Sequence, residues 1–281
     1  MDDIKIITAF CIIEDTLKHF DHKSHHLAGV TDAEVLTVAV VSSMYFHNHH
    51  ERALFVMKGL RYLTKPLSIS RLSRRLHALA QLLDCIMQFL GQLFAQGEVF
   101  IIDSMPVPMC KYVRAGRCTK VNAIDNPLGK YYFGKCIAKK WRFYGWRLHL
   151  VCTKDRVPVA FELLPASWHD LTAVYELTMD LPDGAVIYAD KAYVSAVVKE
   201  HLQADVLDGS GRVQLVSYQR ANMKKNTQEE LEGLRKYRNC IETAYSQLEK
   251  MGIQNLHART SQGLSIKVLS SLLALICVNL Y

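Results

Sequence analysis

Two acidic residues in this chain close runs of buried-type apolar residues. Val99-Phe100-Ile101-Ile102 leads into Asp103, and Ala185-Val186-Ile187-Tyr188-Ala189 leads into Asp190. Uninterrupted β-branched and aromatic residues suit strands buried on both faces. In open α/β sheets chemistry collects outside the carboxyl ends of the strands, so two such strands can bring two carboxylates together. Ser104-Met105-Pro106 is predicted to stop the first strand. A third carboxylate, Glu242, follows Arg238 by one helical turn, on the rim of the stripe Leu234, Tyr237, Ile241, Tyr245 and Leu248. As a surface ion pair this Arg-then-Glu order is worth only ~0.3 kcal/mol, so stabilisation alone is a weak reason for it. A carboxylate on the rim of a sheet-facing stripe can reach the two strand-end aspartates.

Three carboxylates placed together repel one another and raise each other's pKa. Two divalent cations remove the conflict, and oxygen-only ligation suits Mg²⁺ or Mn²⁺. Such ions sit ~3.5–4 Å apart and clamp both oxygens of an in-line phosphoryl displacement. On this reading Asp103 bridges both ions, Asp190 holds one and Glu242 the other. One ion activates a water or 3′-hydroxyl while the other stabilises the leaving oxygen. Arg238 contacts a phosphate or fixes Glu242. A single aspartate at a strand end is most often a cap or a turn; the strand-Asp, strand-Asp, helix-Glu arrangement is far more specific.

The elements that must position these residues come from a chain of 281 residues, long enough for one large domain or two modest ones. Half of it is hydrophobic and 22% charged, as in ordinary soluble folded proteins, and the net charge of +7 favours an acidic partner. Eight cysteines are scattered without a C-x-x-C pair, which indicates neither zinc nor disulfides. With no secretory leader visible, reduced thiols in a cytoplasmic protein are expected.

Residues 1–97 are predicted to be helical. Thr31-Asp32-Ala33-Glu34 is a capping box opening an apolar helix to about Met44. Beyond Pro66 and Ser68, Arg71, Arg74 and Arg75 share a face of a basic amphipathic helix, compatible with a DNA-recognition helix. His47, His49 and His50 lack the i, i+4 geometry of a helical zinc site, and a helix C-terminus favours histidine without any metal.

Between Lys111 and Arg147 there are ten cations and one acid, Asp125. Lys111, Lys135, Lys139, Lys140, Arg142 and Arg147 alternate with aromatic residues such as Tyr112, Phe133 and Trp141. Cations that neutralise phosphates beside aromatic faces that stack on bases make a plausible DNA-tracking surface. Arg220 and Lys224 are read as further DNA-facing cations. Strands are expected from Trp146, over Val157–Leu164 and over Val213–Tyr218, giving a mixed five-stranded sheet with those at Asp103 and Asp190. Asp170 is read as serving the positive end of a helix rather than catalysis. The long helix begins near Thr227, and Val268–Val278, short of the ~20 residues of a membrane span, is expected as a buried helix on the sheet. The order β-β-β-α-β-α-β followed by a long helix matches an RNase H-like fold.

Ile101–Lys111 (I-I-D-S-M-P-V-P-M-C-K), Tyr144–Val151 (Y-G-W-R-L-H-L-V), Ala189–Tyr193 (A-D-K-A-Y) and Arg238–Leu248 (R-N-C-I-E-T-A-Y-S-Q-L) resemble a bacterial insertion-sequence DDE transposase. The likeness is greatest to insertion-sequence family nine-eight-two, and T-D-A-E-V-L-T and H-A-R-T-S-Q-G-L extend it over nearly the whole chain. The resemblance implies Asp103, Asp190 and Glu242 as a metal-binding triad using two Mg²⁺ or Mn²⁺ ions. It also implies an RNase H-like catalytic domain over 98–281 and a helical DNA-binding region over 1–97. A related pattern, Y-x-x-R-x-x-x-E followed by a lysine, fits Arg238 and Glu242. Arg235 and Glu249 replace its tyrosine and lysine, with Tyr237 and Lys250 close by. The activity implied is cleavage of terminal inverted repeats and joining of their 3′-hydroxyls to target DNA, by a homodimer on paired ends. The alternatives are an RNase H-like nuclease or resolvase, and a non-catalytic repressor derived from a transposase.

Overall fold

The computed structural model describes residues 1–118, 129–136, 139–204, 213–219 and 225–280. The chain forms two compact units, one built from 1–89 with 247–281 and the other from 90–246.

The helical unit contains α1 (Asp3–His19), α2 (Asp32–Phe46), α3 (His50–Gly59), α4 (Ile69–Ala78), most of α5 (Ala80–Phe94) and α9 (Ser261–Asn279). Helix α2 is buried from Asp32 to Ser43, as expected of a helix apolar on every side. Its capping box is formed: the Thr31 hydroxyl accepts the Glu34 N–H at 3.1 Å and Glu34 Oε2 accepts the Thr31 N–H at 2.6 Å. Helix α9 is long and apolar enough to cross a membrane by length and composition, and it is buried within this unit. It packs along α2, which corrects the expectation that it lies on the sheet. Each of the two helices lacks a polar face and so covers the other. Asn48 joins them, donating to Ser271 Oγ at 2.9 Å and Met251 O at 3.0 Å and accepting from Ser43 Oγ at 2.8 Å. Of the neighbouring histidines, His47 ends α2 in the left-handed conformation and His49 Nδ1 caps α3. His50 is largely enclosed, and burial lowers its pKa to about 4.

The second unit is a mixed α/β domain, an RNase H-like sheet flanked by helices. Its strands are β1 (Val99–Lys111), β2 (Phe133–Cys136), β3 (Trp141–Thr153), β4 (Pro158–Pro165), β5 (Ala185–Ala189) and β6 (Val213–Ser217). The order is β2-β3-β1-β5-β6, with β4 also paired to β3. Strands β1, β5 and β6 run parallel, while β2, β4 and β1 are each antiparallel to β3. Among the described residues six strands stand where five were expected, because β2, four residues long, is too short to show alternation among the cations around it. Strand β1 also continues past Ser104 to Lys111. Beyond Ile102 it pairs, among the described residues, with β3 alone, and such an edge tolerates Pro106 and Pro108. Opposite Pro108 lies Gly145, where a Cβ would come within 2.5 Å of Met109 N, so only glycine fits this approach.

One face of the sheet packs on α6 (Val174–Thr178) and α7 (Ala196–Ala204) through Phe100, Ile102, Val151, Leu177, Ile187 and Tyr193. The other meets α8 (Gln228–Lys250), where Leu234 and Ile241 approach Ile101 and Tyr188. Gly233 makes that approach possible: a Cβ there would lie 2.3 Å from the Tyr188 hydroxyl. Cys11, Cys85, Cys136, Cys152, Cys240 and Cys277 are free thiols.

Candidate active site

Strand register brings the two aspartates together. Ile102 pairs with Ala189 in the parallel ladder, so Asp103 and Asp190 are each the next residue on neighbouring strands. Ile102 and Ala189 belong to the core under α6 and α7, and alternation turns the following residues toward α8. There Asp103, Asp190, Tyr218 and Arg238 line one pocket, floored by Ile101, Ile102, Tyr188, Leu234 and Ile241.

The charges at this pocket are unevenly matched. Burial pushes the Asp103 carboxyl up to about 7. The N–H of Ser104, 2.7 Å from Oδ1, opposes that rise, the charges of Asp190 and Asp170 add to it, and Arg238 opposes it more weakly. Glu242 does not line the pocket; it accepts a 2.8 Å hydrogen bond from Arg238 Nε, and both side chains are 54% exposed. Arg238 thus stands between Glu242 and the aspartates, and Asp190 and Glu242 both favour its charged form. On α8, the buried Tyr245 hydroxyl feels the charge of Asp103 and has no hydrogen-bond partner among the described residues.

Oxygen donors in a carboxylate pair short of positive charge fit a hard divalent cation. Among the described residues no three His, Cys, Asp or Glu side chains stand ready-made around one. Asp103 and Asp190 line the same pocket, while Glu242 stands outside it, held by Arg238.

On the opposite face lies a polar cluster that sequence reasoning missed. Asp170 does not cap its short helical turn; His169 does, its Nδ1 accepting the Leu171 N–H at 3.2 Å. Asp170 Oδ1 instead accepts from Ser104 Oγ at 3.1 Å and lies 3.5 Å from Arg147 Nη1; it stands in the first turn as expected, but without capping it. Arg147 Nη1 also donates to Ser104 Oγ at 3.2 Å, and Tyr193 hydrogen-bonds the same serine. His149 is fully buried, 3.3 Å from the Tyr193 hydroxyl, and its desolvation lowers its pKa to about 4 despite Asp170 nearby. The only trace of this cluster in the sequence is an acid soon after a strand, which capping preference disguises.

The DNA-contact candidates separate into groups. Lys111, Lys135, Lys139, Lys140 and Arg142 are exposed around the end of β1 and the β2–β3 hairpin. Lys135 and Arg142 are directly opposite in the ladder, a like-charge pair that costs stability unless an anion answers it. The Arg142 guanidinium lies 5.7 Å from the centre of the Tyr112 ring. Arg147 points inward, as described, and Arg238 is at the pocket. In the helical unit Arg71 and Arg74 are exposed on α4, whereas Arg75 is tied to Asp32 and donates to Val30 O at 2.6 Å. Arg220 and Lys224 lie outside the described residues. Tyr237, near the position where the related pattern has tyrosine, packs against Tyr188 at 5.0 Å between ring centres.

Residues 95–277, more than half of the chain, match the family model described as transposase DDE domain. No curated protein and no solved structure matches the chain.

Proposed function

The chain belongs to the transposase DDE domain family, and we propose that it cleaves the terminal inverted repeats of an insertion sequence and joins the 3′-hydroxyl ends to target DNA. The observation that carries this reading is the side-by-side pair Asp103 and Asp190 at the ends of adjacent parallel strands, with Asp103 short of countercharge. Asp103, Asp190 and Glu242 would hold divalent cations, Mg²⁺ or Mn²⁺. When bound, these ions supply Lewis acidity to the attacking and leaving oxygens of phosphoryl transfer.

The protein's own groups do the rest. Asp103 presents a carboxylate fixed by the Ser104 N–H, and Asp190 faces it across the gap between β1 and β5. Arg238 holds Glu242 until DNA arrives, then turns its guanidinium to a phosphate. The like-charged hairpin, with Tyr112 under Arg142, tracks the DNA backbone, and Arg71 and Arg74 add contacts from the helical region over 1–97. The motifs between Ile101 and Leu248 are the basis for assigning the element to insertion-sequence family nine-eight-two. A homodimer in the bacterial cytoplasm, on the nucleoid, follows from the need to process two ends together.

The test uses purified protein and labelled DNA carrying the gene's native flanks, with Mg²⁺ or Mn²⁺. Nicking at the 3′ ends followed by joining, lost in folded Asp103→Ala, Asp190→Ala and Glu242→Ala proteins, is the expected result. Cleavage without joining would replace the reading with a nuclease or resolvase, and specific binding without chemistry would replace it with a repressor.

A further inference from the structure

We propose that Asp170 is a positioning residue for Asp103, acting through Ser104 and Arg147 from the face of the sheet away from α8. The inference rests on the reading of Asp103 as a cation-holding carboxylate.

Asp103 sits where its strand loses a neighbour. The β1–β5 ladder ends at Ile102, so among the described residues the peptide joining Asp103 to Ser104 has a strand partner only on the β3 side. That peptide matters because its N–H holds Asp103 Oδ1 at 2.7 Å. Its orientation must therefore be fixed by something other than β5. The Ser104 side chain does this. Alternation sends it to the opposite face, where it pairs in register with His149 and its hydroxyl meets Asp170 at 3.1 Å and Arg147 at 3.2 Å. A serine hydroxyl held between an anion and a cation has little freedom, and neither has the peptide it follows.

Asp170 has a second effect. The Arg147 side chain is 23% exposed, and its Nε has no partner among the described residues. With His149 neutral, Arg147 is the cation that Asp170 balances. Without Asp170, that guanidinium would lose the carboxylate that balances it beside Ser104 Oγ. The sheet therefore carries a working carboxylate on one face and its anchor on the other.

The experiment is calorimetric titration of Mn²⁺ into the full chain: wild type, Asp103→Asn, Asp170→Asn, Ser104→Ala and the Asp170→Asn/Ser104→Ala pair. Asp170→Asn keeps the shape and an acceptor for Ser104. The expected result is Mn²⁺ affinity weakened roughly 10- to 100-fold in Asp170→Asn. Ser104→Ala weakens it as well, and the double variant is no worse than the weaker single one, as residues acting in series require. Affinity within twofold of wild type in either single variant, or fully additive losses in the pair, would overturn the proposal. Ser104→Ala decides the matter if Asp170→Asn does not fold. Wild-type binding that Asp103→Asn leaves unchanged would instead overturn the reading of Asp103, and the proposal with it.

Discussion

Asp32 in the helical unit and Asp103 in the sheet unit are both carboxylates taken largely out of water, and their surroundings treat them in opposite ways. Burial would raise the Asp32 carboxyl, but hydrogen bonds from Arg75 and from His22, whose Nε2 is 2.9 Å away, outweigh it and hold the group below its ordinary value. Ser24 Oγ takes the Asp32 backbone N–H at 2.7 Å, so the start of α2 is tied to the segment before it and to α4. Asp103 has one N–H, two acidic neighbours and a distant arginine, and its carboxyl is pushed up to about 7. The first arrangement is complete and structural. The second is a charge deficit held open by a rigid sheet, which is what a cation-binding group requires before its cation arrives.

The comparison can be broken most sharply by exchanging each acid for its amide. Asp103→Asn should lower DNA cleavage roughly a thousandfold or more, the scale of losing several kcal/mol of transition-state stabilisation. Asp32→Asn should leave the cleavage rate per folded molecule within about twofold, while lowering unfolding free energy by about 1–3 kcal/mol for the partners left unmet. Cleavage of the labelled ends and denaturant melts of the same preparations check both halves.

A smaller effect is expected from Gly233→Val. The added side chain meets Tyr188 and lifts α8 from the face that carries Asp103, and cleavage should fall roughly 10- to 100-fold. Asp32 and its partners should not register the change. An unchanged cleavage rate would show that the approach of α8 does not set the site.

The two acids should also give stability opposite slopes against pH in a chelator. Asp103 holds its proton more tightly in the native state than in the unfolded chain, so its contribution falls as pH rises from about 4 to about 7. Asp103→Asn should therefore melt higher than wild type at pH 8, with the gain vanishing near pH 4. Asp32, with a lowered pKa, stabilises above its unfolded value and loses that contribution as pH falls through its native one. Asp32→Asn should melt lower than wild type at pH 8 and approach it in acid. Melting curves across that range decide the sign of each.

The smallest expected change belongs to Arg238→Gln. Its pair with Glu242 is half exposed and screened by solvent, so stability should move by less than about 0.5 kcal/mol. Arg75→Gln, made at the enclosed pair, should cost about 1–3 kcal/mol. Equal losses in the two variants would erase the distinction between a structural pair and a waiting one.

Much of this architecture was legible in the sequence because it rests on local rules. The capping box at Thr31, the strand ends at Asp103 and Asp190, and the stripe along α8 each follow from residue types at fixed spacing. What was hidden depends on partners far away in the chain. Strand β1 runs through two prolines because β5 stops at Ala189, which no reading of 104–108 contains. Helix α9 packs along α2 because α2 is equally apolar all round, a match made across most of the chain. Asp170 is a helix-end charge, as its position in the sequence indicates, but its contacts with Ser104 and Arg147 depend on folding, and His169 takes the capping role. Arg75, one of three arginines with the same periodicity, differs from Arg71 and Arg74 only because Asp32 lies beside it.

The most direct test of the account is Mn²⁺ binding at pH 8 by wild type, Asp103→Asn, Asp190→Asn and Asp32→Asn proteins in the absence of DNA. The account predicts that wild type and Asp32→Asn bind alike and that both strand-end variants lose the ion. Equal binding by Asp103→Asn and wild type would contradict it, because the carboxylate left without a countercharge would then not be the one that receives the cation.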